Sequence, residues 1–258
     1  MKQFIRVILR RNMFVYGICA RLYRWLSNTA MKLILNAKGV RYLAPVKPSG
    51  RYYSQFGQDY YLDQLDFVPR VGGVIVEVGC NHPIDISNSY FFEQYYGCTC
   101  FAIDAIDFRD LFRQYRPKTE FFHAIIDKEE GVRDFYQVLD DEGWENQVSS
   151  LHSETLNKGK GFKAKVIQNK TLRLSTLLIN VDKVDVLMVD VEGHEMAVFE
   201  SMDWDKLKPK VILVENNGEF HPRKLIEEYL TKKGYVFWAR IGSVDDIYVF
   251  ETASVGWL

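Results

Sequence analysis

The chain has 258 residues and a net charge of −1, and 47% of its residues are hydrophobic. A chain of this size and composition can bury a large core, so it suits one large domain, alone or with an appended arm. Its four cysteines form no CxxC pair, which argues against a structural zinc site and favours reduced, buried thiols in a cytosolic protein. They are Cys19, Cys80, Cys98 and Cys100.

The charge is distributed unevenly along the chain. Residues 1–58 contain eleven Lys or Arg residues and no Asp or Glu, so residues 59–258 hold 22 basic and 34 acidic residues and carry a net charge of −12. Such a basic segment favours an anionic surface as its partner, or docking on the protein's own acidic body. No nucleic-acid partner is expected.

The basic segment has the pattern of neither a signal peptide nor a membrane span. Its longest uncharged run, residues 12–20, falls well short of the ~20 residues that a span needs. Wound at ~100° per residue, residues 2–32 instead place cations on one side and apolar residues on the other. The cations are Lys2, Arg6, Arg10, Arg21, Arg24 and Lys32, and the apolar residues are Phe4, Ile8, Val15, Ile18, Leu22 and Leu26.

Two interpretations of this amphipathic arm remain open. An anionic bilayer would accept the cations at its headgroups and the apolar side chains below them. That interpretation predicts a cytoplasmic protein held peripherally on the inner membrane face through residues 2–32. In the other, the apolar side packs on the protein's core or on a second subunit, which would make a homodimer.

Pro45, Pro48 and Gly50 mark a linker, so we expect an arm and linker over residues 1–50 and one domain over residues 51–258. A helix is predicted from Gln58 to about Leu65. Apolar runs beyond it predict strands, and helical spacing lies between most of them. The predicted strands are Val74–Val78, Thr99–Ile103, Glu120–Ile126, Val184–Val189, Val211–Val214, Tyr235–Ala239 and Ile247–Phe250. The predicted helices are Ser87–Tyr96, Phe108–Tyr115, His194–Ser201 and Arg223–Lys233.

Apolar runs without alternation, separated by helices, predict an α/β fold whose mostly parallel sheet is covered on both faces. The last two runs are close enough to form a hairpin, which predicts an antiparallel edge. Residues 131–175 fit no helix. We expect them to form an insertion of strand pieces and a Gly-Lys-Gly-rich loop. This insertion would lie on the side of the site where the acceptor substrate binds.

The first predicted strand ends in Glu77-Val78-Gly79, where an open α/β sheet binds its ligand. Gly79 permits a tight turn, and Asp104 ends the next strand at the distance along the chain that suits a carboxylate for the hydroxyls of an adenosine ribose. Residues 79–84 contain one glycine, whereas a dinucleotide cradle needs three. S-adenosylmethionine, which has no phosphate, therefore fits better than NAD. Glu77 would face its amino group.

Three further residues are candidate contacts of S-adenosylmethionine, the methyl donor. Asn81 lies in the turn after the first strand, and Asn88 lies near the start of the next helix. Ala124, at the end of the third predicted strand, belongs to an apolar slot for adenine.

Several motifs occur in a recognisable order. They are SQFGQD (54–59), VEVGCNHP and SNSYFFE (76–93), SSL (149–151), TLLIN (176–180), DVLMVDVEGHE (185–195) and VILVENN (211–217). Together they resemble the FkbM-type S-adenosylmethionine-dependent methyltransferases. The resemblance implies a Rossmann-like class I methyltransferase fold with a seven-stranded sheet, and O-methylation of sugars in surface polysaccharides or of natural products. His82-Pro83 stand where many members carry an Asp-Gly pair.

O-methylation is an in-line displacement at an activated methyl group, so the protein must orient the acceptor hydroxyl and take its proton. Asp190 ends the fourth predicted strand. Both Asp190 and Glu192 are candidate catalytic residues, and Asp190 is also a candidate contact of the methyl donor. Without a metal, His194 or His82 would act as the general base.

A divalent cation such as Mg²⁺ is a second candidate ligand. Asp190 is expected to lie across neighbouring strands from Glu215 and Asn216. This arrangement is similar to the Asp…Asp-Asn magnesium site of catechol-type methyltransferases, where oxygen ligands hold a hard cation.

The sequence thus predicts an S-adenosylmethionine-dependent O-methyltransferase. Its acceptor would be a sugar hydroxyl of a glycan, glycolipid or nucleotide-sugar, and Tyr52, Tyr53, Phe56 and Trp144 are aromatic candidates for stacking on it. A methyltransferase of a small-molecule natural product and a nicotinamide-dependent sugar oxidoreductase are the alternatives.

Overall fold

The computed structural model describes residues 26, 29–139, 151, 163–218 and 222–251. Cys19, Trp144 and residues 2–25 of the arm lie outside them. The helices are α1 (29–37), α2 (Gln58–Gln64), α3 (Tyr90–Tyr96), α4 (Arg109–Tyr115), α5 (Leu174–Leu177), α6 (Glu195–Glu200) and α7 (Lys224–Lys232). The strands are β1 (Arg41–Leu43), β2 (Val74–Val78), β3 (Thr99–Asp104), β4 (Glu120–His123), β5 (Ile125–Ile126), β6 (Gly131–Leu139), β7 (Lys163–Leu172), β8 (Val186–Val189), β9 (Val211–Glu215), β10 (Tyr235–Ile241) and β11 (Asp245–Phe250).

The main sheet has the order β1-β10-β11-β9-β8-β2-β3-β4. Strand β11 is antiparallel to both of its neighbours, and every other pair is parallel. A mixed α/β fold with a large, mostly parallel sheet is therefore confirmed, and it fits a methyltransferase. The register aligns Val78 with Ile103 and with Val189, so the carboxyl ends of β3, β2 and β8 lie at one edge.

The sheet differs from the prediction at its other side. It has eight strands rather than seven, because β1 pairs in parallel with β10 through Arg41, Tyr42 and Leu43. Three residues are too few for an apolar pattern to reveal a strand, and this segment reads as linker. The predicted hairpin is β10–β11, but β11 lies between β10 and β9 and β1 forms the outer edge.

Helices pack against β2 on both faces of the sheet, because successive side chains of a strand alternate between the two faces. Ile75 is buried in a cluster with Leu62 of α2 and Phe91 of α3. Val76 is buried on the opposite face in a cluster with Val198 of α6. Cys98 and Cys100 share the first of these clusters as free thiols, as their spacing predicted.

The predicted strand 120–126 is divided in two at Ala124. Strand β4 pairs with β3 as far as His123, whereas β5 joins a second sheet of order β5-β7-β6. Strands β6 and β7 pair antiparallel along their length, so residues 131–175 do contain the expected strand pieces. Apart from Leu151, the Gly-Lys-Gly-rich loop between them lies outside the described residues.

Truncating a central core side chain should destabilise the fold strongly. Ile75 is 0% exposed and Ile179 is 64% exposed. We expect Ile75→Ala to lower the free energy of unfolding by about 2–5 kcal/mol, because it removes buried contacts and leaves a cavity. Urea denaturation followed by circular dichroism measures this change. The matched variant Ile179→Ala should change little, and equal effects of the two variants would contradict this packing.

Candidate active site

A cavity of about 440 Å³ opens at the edge of the sheet where β2, β3, β8 and β9 end. Its volume is in the range of small-molecule sites, which is roughly 300–1,000 Å³. Most of the predicted site residues meet there. They are Glu77, Gly79, Asn81, Asn88, Asp104, Ala124, Asp190, Glu192, His194 and Glu215. His82 and Asn216 do not line this cavity.

The turn after β2 requires glycine. Gly79 has φ +81°, and a Cβ placed on it would overlap the carbonyl oxygen of Asp190. The Asp190 N–H donates to the carbonyl of Val78 at 3.0 Å, and the Gly79 N–H donates to that of Ile103 at 2.9 Å. The ends of β2 and β8 thus pass within backbone contact, which only a residue without a side chain allows.

Glu77 is buried beneath the loop that follows β2. Its carboxylate accepts hydrogen bonds from the Asn88 N–H at 3.0 Å and from the Ser89 hydroxyl. Burial raises its pKa, which Arg116 and these donors oppose. The side-chain Oδ1 of Asn88 is buried with no hydrogen-bond partner. Two acceptors of this kind beside one cavity suit a ligand with a charged amino group.

Arg116, at the end of α4, holds this loop from behind and is 1% exposed. Its guanidinium donates to the Pro83 carbonyl at 3.2 Å, to the Ser87 hydroxyl at 3.2 Å and to the Ser89 hydroxyl at 3.0 Å. It also forms a buried ion pair with Glu93 of α3. One cation therefore fixes both ends of the loop that covers Glu77.

Asp104 stands at the end of β3. One carboxylate oxygen accepts from the Asn81 N–H and the other from the Ile106 N–H, each at 2.8 Å. Burial raises its pKa to about 6. An apolar wall lies next to it, as the adenine slot requires. The wall comprises Ile103, Ala124, Ile125, Ile126 and Phe135.

Three carboxylates cluster at the ends of β8 and β9. Single oxygens of Asp190, Glu192 and Glu215 all lie within 4.8 Å of one another. Burial, and then the neighbouring carboxylates, raise the pKa of Asp190 to about 7 and raise that of Glu215 strongly. A hydrogen bond joins the Glu215 and Asp190 side chains, and it needs a proton on one of them. A divalent cation would relieve the same repulsion, since carboxylate oxygens are its preferred ligands.

The predicted third member of this cluster, Asn216, is wrong. Glu192 lies beside Asp190 and Glu215 instead. The Asn216 amide donates to Asp246 at 2.7 Å and to the Arg223 carbonyl at 3.0 Å, away from Asp190. The reason is that consecutive residues of an extended segment point to opposite sides. The next residue, Asn217, lines the cavity and donates to Glu215 at 2.6 Å.

The two candidate histidines occupy different surroundings. His82 Nδ1 accepts from the N–H groups of Ile84 and Asp85, at 3.2 and 3.0 Å, and so orders the loop. His194 lines the cavity, and its Nε2 lies 3.1 Å from Asp127, which also pairs with Arg133. Asp127 was not among the residues predicted from the sequence. An acid directly after the apolar pair of β5 was the available signal.

The SQFGQD motif forms a further wall of the cavity through Gln55, Phe56 and Gln58. Buried Asp59 shapes this segment by accepting from the Tyr53 N–H at 2.6 Å. An isolated parallel bridge between Ser54 and Ile86 joins it to the loop after β2. Of the three described aromatic candidates, Phe56 alone lines the cavity. Tyr52 packs on Phe91, and Tyr53 packs on Tyr90.

A family model described as the Methyltransferase FkbM domain matches residues 75–237, more than half of the chain. The chain belongs to the FkbM methyltransferase family. No curated protein sequence matches it significantly. The FkbM match begins in β2 and ends in β10, so it includes all four strand ends that carry the cavity carboxylates.

Loss of Arg116 should destabilise this FkbM methyltransferase. We expect Arg116→Gln to lower the free energy of unfolding by about 3–5 kcal/mol, because it leaves Glu93 buried without its partner. The double variant Arg116→Gln/Glu93→Gln should recover part of this loss. Chemical denaturation of the three proteins measures both effects.

Arg113, one turn earlier in α4, provides the matched control because its side chain is 77% exposed. Arg113→Gln should leave the free energy of unfolding unchanged. If Arg116→Gln were equally silent, the loop would not depend on the buried ion pair.

Proposed function

We propose that the protein is an S-adenosylmethionine-dependent O-methyltransferase. The observation that carries this proposal is the charge of the cavity wall. Four strand ends contribute a carboxylate each, and Arg223 is the one Lys or Arg among the described residues that line it. Such a wall attracts a sulfonium donor with an amino group, whereas it repels the pyrophosphate of a nicotinamide coenzyme.

The family and the cavity together support one arrangement of the donor. Glu77 and the Asn88 Oδ1 accept hydrogen bonds from its amino group, and Asp104 accepts from its ribose hydroxyls. The apolar wall that begins at Ala124 takes the adenine. When bound, the donor supplies an electrophilic methyl group. What the chain adds is orientation and the removal of a proton.

The acceptor side lies at Asp190 and Glu192, whose carboxylates can accept the proton of a hydroxyl. The neighbouring lining is polar, with Gln55 and Asn217 among its residues. Paired hydrogen-bonding groups of this kind suit an acceptor with several hydroxyls. We therefore propose a sugar hydroxyl of a glycan, glycolipid or nucleotide-sugar, as in the synthesis of surface polysaccharides.

A divalent cation such as Mg²⁺ fits the same cluster. Asp190, Glu192 and Glu215 would hold it, since their oxygens approach within 4.8 Å of one another. Such a cation lowers the pKa of a hydroxyl bound to it. The chain's own part is to bring three carboxyl groups together at one point.

Calorimetry with S-adenosylhomocysteine and with NAD tests the donor. We expect binding of the former and no binding of the latter. Because Asp104 must be ionised to accept from both ribose hydroxyls, affinity should fall as the pH falls through about 6, the raised pKa of this group. Above that pH, affinity should be constant. Asp104→Asn should bind at least about 10-fold more weakly at pH 8, with a flatter pH profile.

Asp107→Asn is the matched control. Asp107 lies three residues further on, pairs with Arg109 and does not line the cavity. This variant should retain the affinity and the pH profile of the unchanged protein. Tight binding of NAD, or no binding of S-adenosylhomocysteine, would exclude the proposed function.

Glu192 should matter for turnover and not for donor binding. Incubation with labelled S-adenosylmethionine and a panel of sugar nucleotides and glycolipids would identify an acceptor. With it, Glu192→Gln should lower kcat by about 100-fold or more while leaving the affinity for S-adenosylhomocysteine unchanged. Glu200→Gln, at the exposed end of α6, is the control and should retain full activity.

The same assay with EDTA separates the two roles of the cluster. Loss of turnover that Mg²⁺ restores would assign the carboxylates as cation ligands. Turnover unaffected by EDTA, combined with inactive Glu192→Gln, would assign them to proton removal alone. A fully active Glu192→Gln variant would contradict both roles.

A further inference from the structure

Helix α1 is fixed on the body of the protein by one side only. Leu35 is 5% exposed, and the helix ends at Gly39, which has φ +73°. The chain continues directly into β1, which pairs with β10, and the Arg41 guanidinium lies over the Trp238 ring at 4.3 Å. The orientation of α1 is therefore set by the main sheet.

The outer side of α1 is apolar. Leu33 and Ile34 are 65% and 55% exposed, and Leu26, one turn before α1, is 53% exposed. Ala30 and Ala37 are exposed as well. At ~100° per residue, Leu26, Ala30, Leu33 and Ala37 fall on one side, opposite Leu35. Apolar residues gathered on one exposed side mark a surface that contacts a partner.

This exposed side continues the apolar side predicted for the arm. Counted at the same ~100° per residue, Leu26 and Leu33 fall in the arc of Phe4, Ile8 and Val15. Where the structure describes the arc, the protein's own core does not cover it. The exposed residues Leu26, Ala30, Leu33 and Ala37 form what is called here the apolar stripe.

The charge around the stripe selects the partner. Lys32, Lys38, Arg41 and Lys47 are exposed, and none of them forms an ion pair with a described residue. No Asp or Glu occurs in residues 1–58. A second copy of this chain would bring two strongly positive segments together, which like-charge repulsion opposes. A negatively charged lipid surface attracts the cations and accepts the apolar side chains.

We propose that α1 docks the protein on an anionic bilayer surface, with Leu26, Leu33 and Ile34 inserted at the level of the headgroups. The contact is peripheral, because no helix among the described residues is long and apolar enough to cross a bilayer. It does not depend on the methyl-transfer proposal.

Flotation of the full chain with vesicles tests this surface. We expect binding to phosphatidylcholine vesicles that contain phosphatidylglycerol, weaker binding at high salt, and no binding to pure phosphatidylcholine. Leu33→Glu/Ile34→Glu should reduce the bound-to-free ratio by about tenfold or more, because it puts two charges at the apolar contact. Retained binding of S-adenosylhomocysteine, or an unchanged thermal melt, shows that this variant is folded.

Val71→Glu/Ile179→Glu is the matched control, since it adds the same two charges at apolar residues that are 86% and 64% exposed elsewhere. It should bind vesicles as well as the unchanged chain. Equal loss in both double variants would overturn the proposal, as would equal binding to neutral vesicles or none to anionic ones. A dimer seen by light scattering, lost only in Leu33→Glu/Ile34→Glu and without vesicle binding, would assign the stripe to a second copy.

Discussion

Repulsion between carboxylates is the constraint around which this site is built. Glu77, Asp104, Asp190 and Glu215 all end parallel strands at one edge of the sheet, where burial denies them full solvation. The chain offsets the repulsion locally, through backbone N–H donors at Glu77 and Asp104 and through the hydrogen bond between Asp190 and Glu215. The remaining negative potential fills the cavity, which makes it a place for a cation.

The sheet and the residues behind the cavity position the side chains at this edge. The aligned register of β3, β2 and β8 brings the strand ends together, and Gly79 lets two of them touch. Arg116, at the end of α4, holds the loop that covers Glu77 through hydrogen bonds to it. The carboxylates lie at the ends of strands, and sites built on strands are more precise than sites built on loops.

Short stretches of the sequence predicted those features of the site that depend on residues close together in the chain. The apolar run at residues 74–78 forms β2 with the bounds expected, and the acids that end strands do reach one cavity because parallel strands end together. Asn216 was misplaced because neighbours along a strand end point oppositely, and no pattern states which one faces the ligand. The partnership of His194 with Asp127 joins residues 67 positions apart, so no local spacing could reveal it.

The bridge between Ser54 and Ile86 ties the wall that carries Phe56 to the loop that covers Glu77. Both segments line the cavity. Because the bridge joins their backbones, a displacement of either segment would have to break it or move the other segment as well. A ligand that pushed on one of them would therefore act on both.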